Sequence, residues 1–322
     1  MTSFPEPPSD DYAILYLENT DRELPLKLNS NMRYAYFKTI AKGGKAIIQS
    51  CKDLNLSRTV CYKKLRPEFA NDPIEQKRFL REARVSALLQ HPNTVPTYEI
   101  GRDSQGQYYF TMKLVYGYTL REILDYRERY DLKQLVNVII QIAHALEYAH
   151  NHRVIHRDIK PENILVGPFG EVLLLDWGLA KVWNPDGTSS TEDDTPNKTV
   201  TILNKKVSSM TDTEKLQGTI TYMSPEQIRR DPDIDFRTDI YSLGVILFEI
   251  LAGRPPSIEE TVDGIIKQTL NEVPPKPSTL TRIHVPELLE DIAMKCIAKD
   301  ADDRMQSCGE LIRLLEEDWA SS

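Results

Sequence analysis

Cysteine is scarce in this 322-residue chain, and its four copies are scattered. Cys51, Cys61, Cys296 and Cys308 form no CxxC pair, and no histidine stands at zinc-ligand spacing from them. That argues against a zinc ribbon or a disulfide-stapled scaffold and suggests thiols kept reduced, as in the cytoplasm. An excess of positive charge is also missing. The formal net charge is −8, so the basic footprint that nucleic-acid binding leaves is absent and no nucleic-acid partner is expected. Long hydrophobic runs are lacking too. The most apolar stretch, residues 240–253, is too short for a membrane span and is broken by Ser242, Gly244 and Glu249. The first eleven residues are acidic and proline-rich, unlike a signal peptide. These absences together give the expectation of a soluble chain with no membrane segment.

What is present is ordinary globular material, 40% hydrophobic and 27% charged. The length suffices for one large domain or for two lobes. Residues 1–32 carry no motif and read as an extension, with short strands conceivable at 13–17 and 24–28. Strands are predicted at 36–40, 46–50, 59–63, 95–100 and 108–112, with a charged helix over 73–90. After Gly117 the pattern turns helical. Residues 132–150 carry one apolar stripe, Leu135, Val138, Ile139, Ile142, Ala145, Leu146 and Ala149. Helices are also predicted at 239–251, 288–298 and 308–317. The implied class is α+β: a strand-rich lobe of about 33–112, then a helical lobe of about 116–317. Residues 184–216, rich in Ser, Thr, Asp and Lys, read as a long loop.

The chemistry concentrates in His156-Arg157-Asp158-Ile159-Lys160-Pro161-Glu162-Asn163, followed thirteen residues later by Asp176-Trp177-Gly178. Phosphoryl transfer is mostly positioning and charge neutralisation. Asp158 is placed to accept a proton from a hydroxyl nucleophile, and Lys160 to offset charge on the moving phosphate. Asn163 and Asp176 offer the hard oxygen donors that magnesium favours.

At these residues the chain resembles the eukaryotic-type (Hanks-type) protein kinases, over roughly residues 34–317, and the wording of 155–165 and 176–181 looks like the bacterial serine/threonine branch. The resemblance implies a two-lobed protein kinase fold with ATP between the lobes and Mg2+ held by Asn163 and Asp176. Within it Lys63, in Val60-Cys61-Tyr62-Lys63, would hold the α- and β-phosphates, and Glu82 would be its helix partner. Lys64, beside Lys63, points to the opposite face by strand alternation. Ile40, Gly43, Gly44, Ile48, Cys61, Met112, Leu114 and Leu165 would surround the nucleotide, with Met112 as gatekeeper and 113–115 as hinge. Residues 176–226 would be the activation segment. Within that segment Thr219 would bond near Asp158 and Lys160, and Glu226 would pair with Arg304. Asp239 would brace the His-Arg-Asp turn. Lys160 two residues after Asp158 implies Ser/Thr acceptors on protein substrates. Thr211 and Thr213, with Arg157 as anchor, imply autophosphorylation, with a transient homodimer to carry it out.

The sequence departs from the family pattern in places. Ala41 and Ala46 stand where the glycine loop has its first and third glycines, which points to altered nucleotide binding. Trp177 replaces the common Phe, and Ser224 the common Ala. The alternative in a different class is a pseudokinase, a nucleotide-binding or scaffold module, and a small-molecule kinase is a third reading. Against the pseudokinase, Lys63, Glu82, Asp158, Asn163 and Asp176 are all present. Against the small-molecule kinase stands the segment 218–226, which in the protein kinases builds a peptide platform.

Overall fold

The computed structural model describes residues 33–182, 216–259 and 261–319. The strands expected within 1–32 and the Thr-rich stretch with Thr211 and Thr213 lie outside the described residues. The described chain divides into two compact units, 33–90 with Thr94–Gly117, and His91–Asn93 with 118–319.

The first unit is a five-stranded antiparallel sheet with one long helix. Its strands are β1 (Tyr34–Lys42), β2 (Ala46–Asp53), β3 (Arg58–Leu65), β4 (Thr97–Arg102) and β5 (Tyr108–Lys113), in the order β1-β2-β3-β5-β4. Helix α1 (Pro73–Leu88) starts where Asp72 accepts hydrogen bonds from the N–H groups of Ile74 and Glu75, with Pro73 in the first turn. Its Phe79 and Ala83 pack on Leu65 and Phe110. Aromatic residues cover the other face, where Tyr62 stacks on Tyr109 at 4.6 Å and Tyr34 meets both edge-on.

Strand β1 departs from the simple alternation expected of it. Its pairing with β2 slips twice, between Ala35 and Lys38 and between Thr39 and Ala41. Each slip leaves one residue of β1 over, a bulge that bends the strand and re-aims its side chains. Tyr36, in the first slip, has φ 56°, and Ile40 is the extra residue of the second.

The second unit is mainly helical. Two short strands, β6 (Tyr118–Thr119) and β7 (Val154–Ile155), flank helices α2 (Leu120–Leu124) and α3 (Leu132–Asn151). Then come β8 (Ile164–Val166), β9 (Val172–Leu174) and β10 (Lys181–Val182), and helices α4 (Pro225–Arg229), α5 (Arg237–Ala252), α6 (Val262–Asn271), α7 (Glu287–Cys296) and α8 (Cys308–Arg313). Asp131 and Gln134 close a capping box at the start of α3, whose predicted apolar stripe is buried. Helix α5 is buried along almost its whole length, from Thr238 to Ala252. Gly244 lets α5 and α7 approach closely, because a Cβ there would lie 2.3 Å from Cys296 Cβ. The last helix is shorter than expected: α8 stops at Arg313 and continues as a π-helical turn, Leu314–Trp319. Among the described residues no helix is long and apolar enough to cross a membrane.

Candidate active site

In the sheet unit, β3 is the organising element. Cys61 pairs with Ser50 and Met112, and Lys63 with Ile48 and Phe110. Directly opposed residues of antiparallel strands point to one face, so Ile48, Cys61, Lys63, Phe110 and Met112 share a surface. Lys64 pairs with Ile47 and Tyr109 and so belongs to the opposite face. The Lys63 ammonium lies 5.7 Å from the centre of the Phe110 ring and forms an ion pair with Glu82 of α1. Burial pushes the Cys61 thiol up to about 11, despite the nearby Lys63 charge. Leu114 follows directly on β5 and is half-buried, whereas Ile40 is exposed.

The turn at 43–45 joins β1 to β2. Gly43 N–H donates to Ala46 O at 2.9 Å, and Lys45 forms an ion pair with Glu75. Ala41, directly after the second slip, is paired with Ile48, and Ala46 with Leu65. Neither has a positive φ, and Gly43 and Gly44 do not either. A Cβ on Gly44 would meet nothing within 4 Å, and one on Gly43 only Ala46 O at 3.4 Å. The backbone conformation therefore requires glycine at none of these positions. The remaining reason for glycine is close approach to a ligand.

In the helical unit, the loop 156–163 is braced from several directions. Asp239 of α5 accepts both the His156 and the Arg157 N–H groups at 2.8 Å. Burial alone would raise the Asp239 carboxyl, but the hydrogen bonds from His150 and from the His156 N–H hold it below its ordinary value. The His156 ring takes the Asp158 N–H at Nδ1, 3.2 Å, and faces the Leu175 carbonyl through Nε2 at 3.0 Å. A carbonyl only accepts, so Nε2 carries the proton. Trp177 is buried against this ring, 4.6 Å away and edge-on. Arg157 adopts φ 65°, a left-handed conformation uncommon outside glycine. Its carbonyl accepts from Gln227 at 2.8 Å, and its Nε donates to Leu179 O at 2.7 Å.

This bracing presents Asp158. Lys160 Nζ donates to both carboxylate oxygens, at 2.9 and 3.0 Å, and to Thr219 Oγ1 at 3.3 Å. Asn163 Nδ2 donates to the Asp158 carbonyl at 2.8 Å and to Oδ2 at 3.0 Å. With its amide nitrogen committed inward, Asn163 keeps Oδ1 as an acceptor. The Asn163 carbonyl accepts the Leu175 N–H at 2.8 Å, which ties the loop to the residue before Asp176. Asp176 is exposed, with φ 61°, and accepts from Gly178 N–H. Leu165, on β8, pairs with Thr119 and Leu173.

Farther along, Ser224 caps α4. Its hydroxyl accepts from Gln227 N–H and meets Thr238 Oγ1 at 2.6 Å. Glu226 receives a two-pronged contact from Arg304, at 2.6 and 2.7 Å. Arg304 also donates to the carbonyls of Ala298, Arg237 and Lys299, so all five of its N–H donors are used.

A model of the protein kinase domain matches residues 34–319. The chain belongs to the protein kinase family. The kinase domain is 37% identical over 302 residues to serine/threonine-protein kinase PknD of Protochlamydia amoebophila, covering 88% of this chain and 29% of that protein. It is 34% identical to a probable serine/threonine-protein kinase of Streptomyces coelicolor, covering 87% of this chain and 39% of the relative. Serine/threonine-protein kinase PknB of Mycolicibacterium smegmatis is 33% identical, with 87% and 42% covered. The chain thus spans well under half the length of these curated relatives. Its resemblance to the bacterial branch of the Hanks type agrees with them.

Some contacts of the kinase domain have no motif to announce them. Gln227 adjoins Glu226, and His150 stands six residues before His156, but neither belongs to a recognisable pattern. Tyr222, Arg121 and Glu249 form a further cluster, with Tyr222 donating to Glu249 at 2.6 Å and Arg121 to Glu249 at 2.8 Å. These residues lie far apart in the chain, and no short motif joins them.

Proposed function

We propose that this kinase domain transfers the γ-phosphoryl group of ATP to serine and threonine hydroxyls of protein substrates. In this reading Asp158 orients the acceptor hydroxyl and takes its proton, and Lys160 neutralises charge on the phosphoryl group in flight. Lys63, held by Glu82, contacts the α- and β-phosphates. Ile40, Gly43, Gly44, Ile48, Cys61, Met112, Leu114 and Leu165 contact the rest of the nucleotide. The observation that carries the reading is the Asp158 carboxylate, contacted by Lys160 Nζ at 2.9 Å and by the Asn163 amide at 3.0 Å within one braced loop.

Asn163 and Asp176 are the residues that would hold Mg2+. The fit is chemical: the Asn163 Oδ1 acceptor and the Asp176 carboxylate are hard oxygen donors. When bound, the ion neutralises phosphate charge. Residues 176–226 serve as the activation segment, autophosphorylated through a transient homodimer, with Arg157 receiving the phosphate. The four free, buried cysteines are compatible with a cytoplasmic setting.

Incubation with γ-labelled ATP and magnesium, followed by phosphoamino-acid analysis, tests the reading. Phosphoserine or phosphothreonine is expected from the wild type and none from Lys63→Met. Label on tyrosine alone, or equal label in both proteins, would overturn it. Mass spectrometry showing no phosphate between Thr188 and Thr213 would reject the autophosphorylation step.

A further inference from the structure

Three helices of the helical unit meet at one imidazole. His150, near the end of α3, faces Asp239 of α5 through Nε2 at 2.9 Å and Cys308 of α8 through Nδ1, with Sγ at 3.8 Å. Asp239 and Cys308 are fully enclosed, and only about 7% of the His150 side chain is exposed. We propose that Cys308 is a positioning residue of the kinase site: its S–H donates to His150 Nδ1 and thereby fixes the Nε2–H tautomer that holds Asp239.

The assignment follows from which atoms are able to donate. Asp239 already accepts the N–H groups of His156 and Arg157, and as a carboxylate it only accepts. The ring nitrogen 2.9 Å from it must therefore carry a proton. In the neutral ring the other nitrogen is then an acceptor, with the Cys308 thiol facing it. Burial raises that thiol well above its ordinary value, so it keeps its proton. Among the described residues the Cys308 thiol is the one group in hydrogen-bond contact with Nδ1. The Phe236 ring lies 5.5 Å from the imidazole, and Glu147, on the Cys308 side, accepts from Gly309 N–H.

The consequence reaches the catalytic loop. Arg157 holds φ 65°, and Asp239 accepts its N–H one residue before Asp158. A ring free to change tautomer would set a lone pair against the carboxylate and loosen that brace. Without the thiol, Nδ1 loses its donor in a dry site.

The catalytic effect rests on the phosphotransfer reading, but the hydrogen-bond assignment does not. Two measurements separate them. In wild-type protein labelled with 15N-histidine, NMR should show His150 protonated at Nε2 and bare at Nδ1. A proton on Nδ1 overturns the proposal whatever the activity. In steady-state kinetics, Cys308→Ser keeps a donor and should stay near wild-type kcat. Cys308→Val fills similar space without a donor and should lose about three- to tenfold in kcat, with KM for ATP unchanged. Equal kcat in the valine variant also overturns it. A wild type that transfers no phosphoryl group refutes the phosphotransfer reading, and the NMR result then decides the tautomer on its own.

Discussion

The turn at residues 43–45 and the loop at 156–163 are both assigned to the handling of phosphate, yet they are built in opposite ways. The turn is largely exposed and is pinned by Gly43 N–H to Ala46 O and by Arg66 N–H to Lys45 O. The loop has His156 wholly buried and its backbone held by Asp239 and Gln227, while Lys160 and Asn163 hold Asp158. The difference suggests where each tolerates change. A turn with room for added atoms accepts Ala41 and Ala46 at no conformational cost, so its substitutions should act on nucleotide affinity. A cross-braced loop has no such slack, so changes to its supports should act on stability and turnover.

The largest break with this contrast should come from the Glu226–Arg304 pair. Glu226→Ala leaves the buried Arg304 without its carboxylate and should cost about 3–5 kcal/mol of unfolding free energy by chemical denaturation. A loss near zero would mean the pair is not what holds α4. The next test makes the same substitution in two places. Gly244→Ala drives a Cβ into Cys296 and should cost about 1–3 kcal/mol. Gly44→Ala meets nothing and should stay within about 0.5 kcal/mol, while raising the KM for ATP. Equal costs at the two positions would erase the distinction.

Acid should sharpen the same contrast from the helical side. Burial alone would raise the Glu226 carboxyl, but the hydrogen bonds and charge of Arg304 hold it below its ordinary value of 4.5. A carboxyl depressed on folding contributes stability that is complete above 4.5 and is lost as pH falls through the lower folded value. The unfolding midpoint of the wild type should therefore drop in that acid range, and Glu226→Gln should show a shallower drop. Parallel profiles would contradict the assignment.

Much of this was legible because the chemistry sits at short, fixed offsets. Asp158, Lys160 and Asn163 lie within six residues, and their mutual hydrogen bonds follow from that loop. Helices α1 and α3 were legible from apolar residues at helical spacing, and α5 from its apolar run. What the sequence hid falls into three kinds. Tyr36 and Ile40 lie at pairing slips, which alternation of side chains cannot announce. His150 and Cys308 are 158 residues apart, and only the packing of α3 against α8 brings them together. Helices α2 and α4, five residues each, are too short for a period to show, and the ten-residue α6 carries Gly264 within its first turn.

Steady-state transfer from γ-labelled ATP by wild type and Asp158→Asn, at saturating nucleotide, tests the central claim most directly. The account predicts that kcat falls roughly 100- to 10,000-fold while KM for ATP and the unfolding midpoint stay near wild type. Undiminished transfer by Asp158→Asn would contradict it.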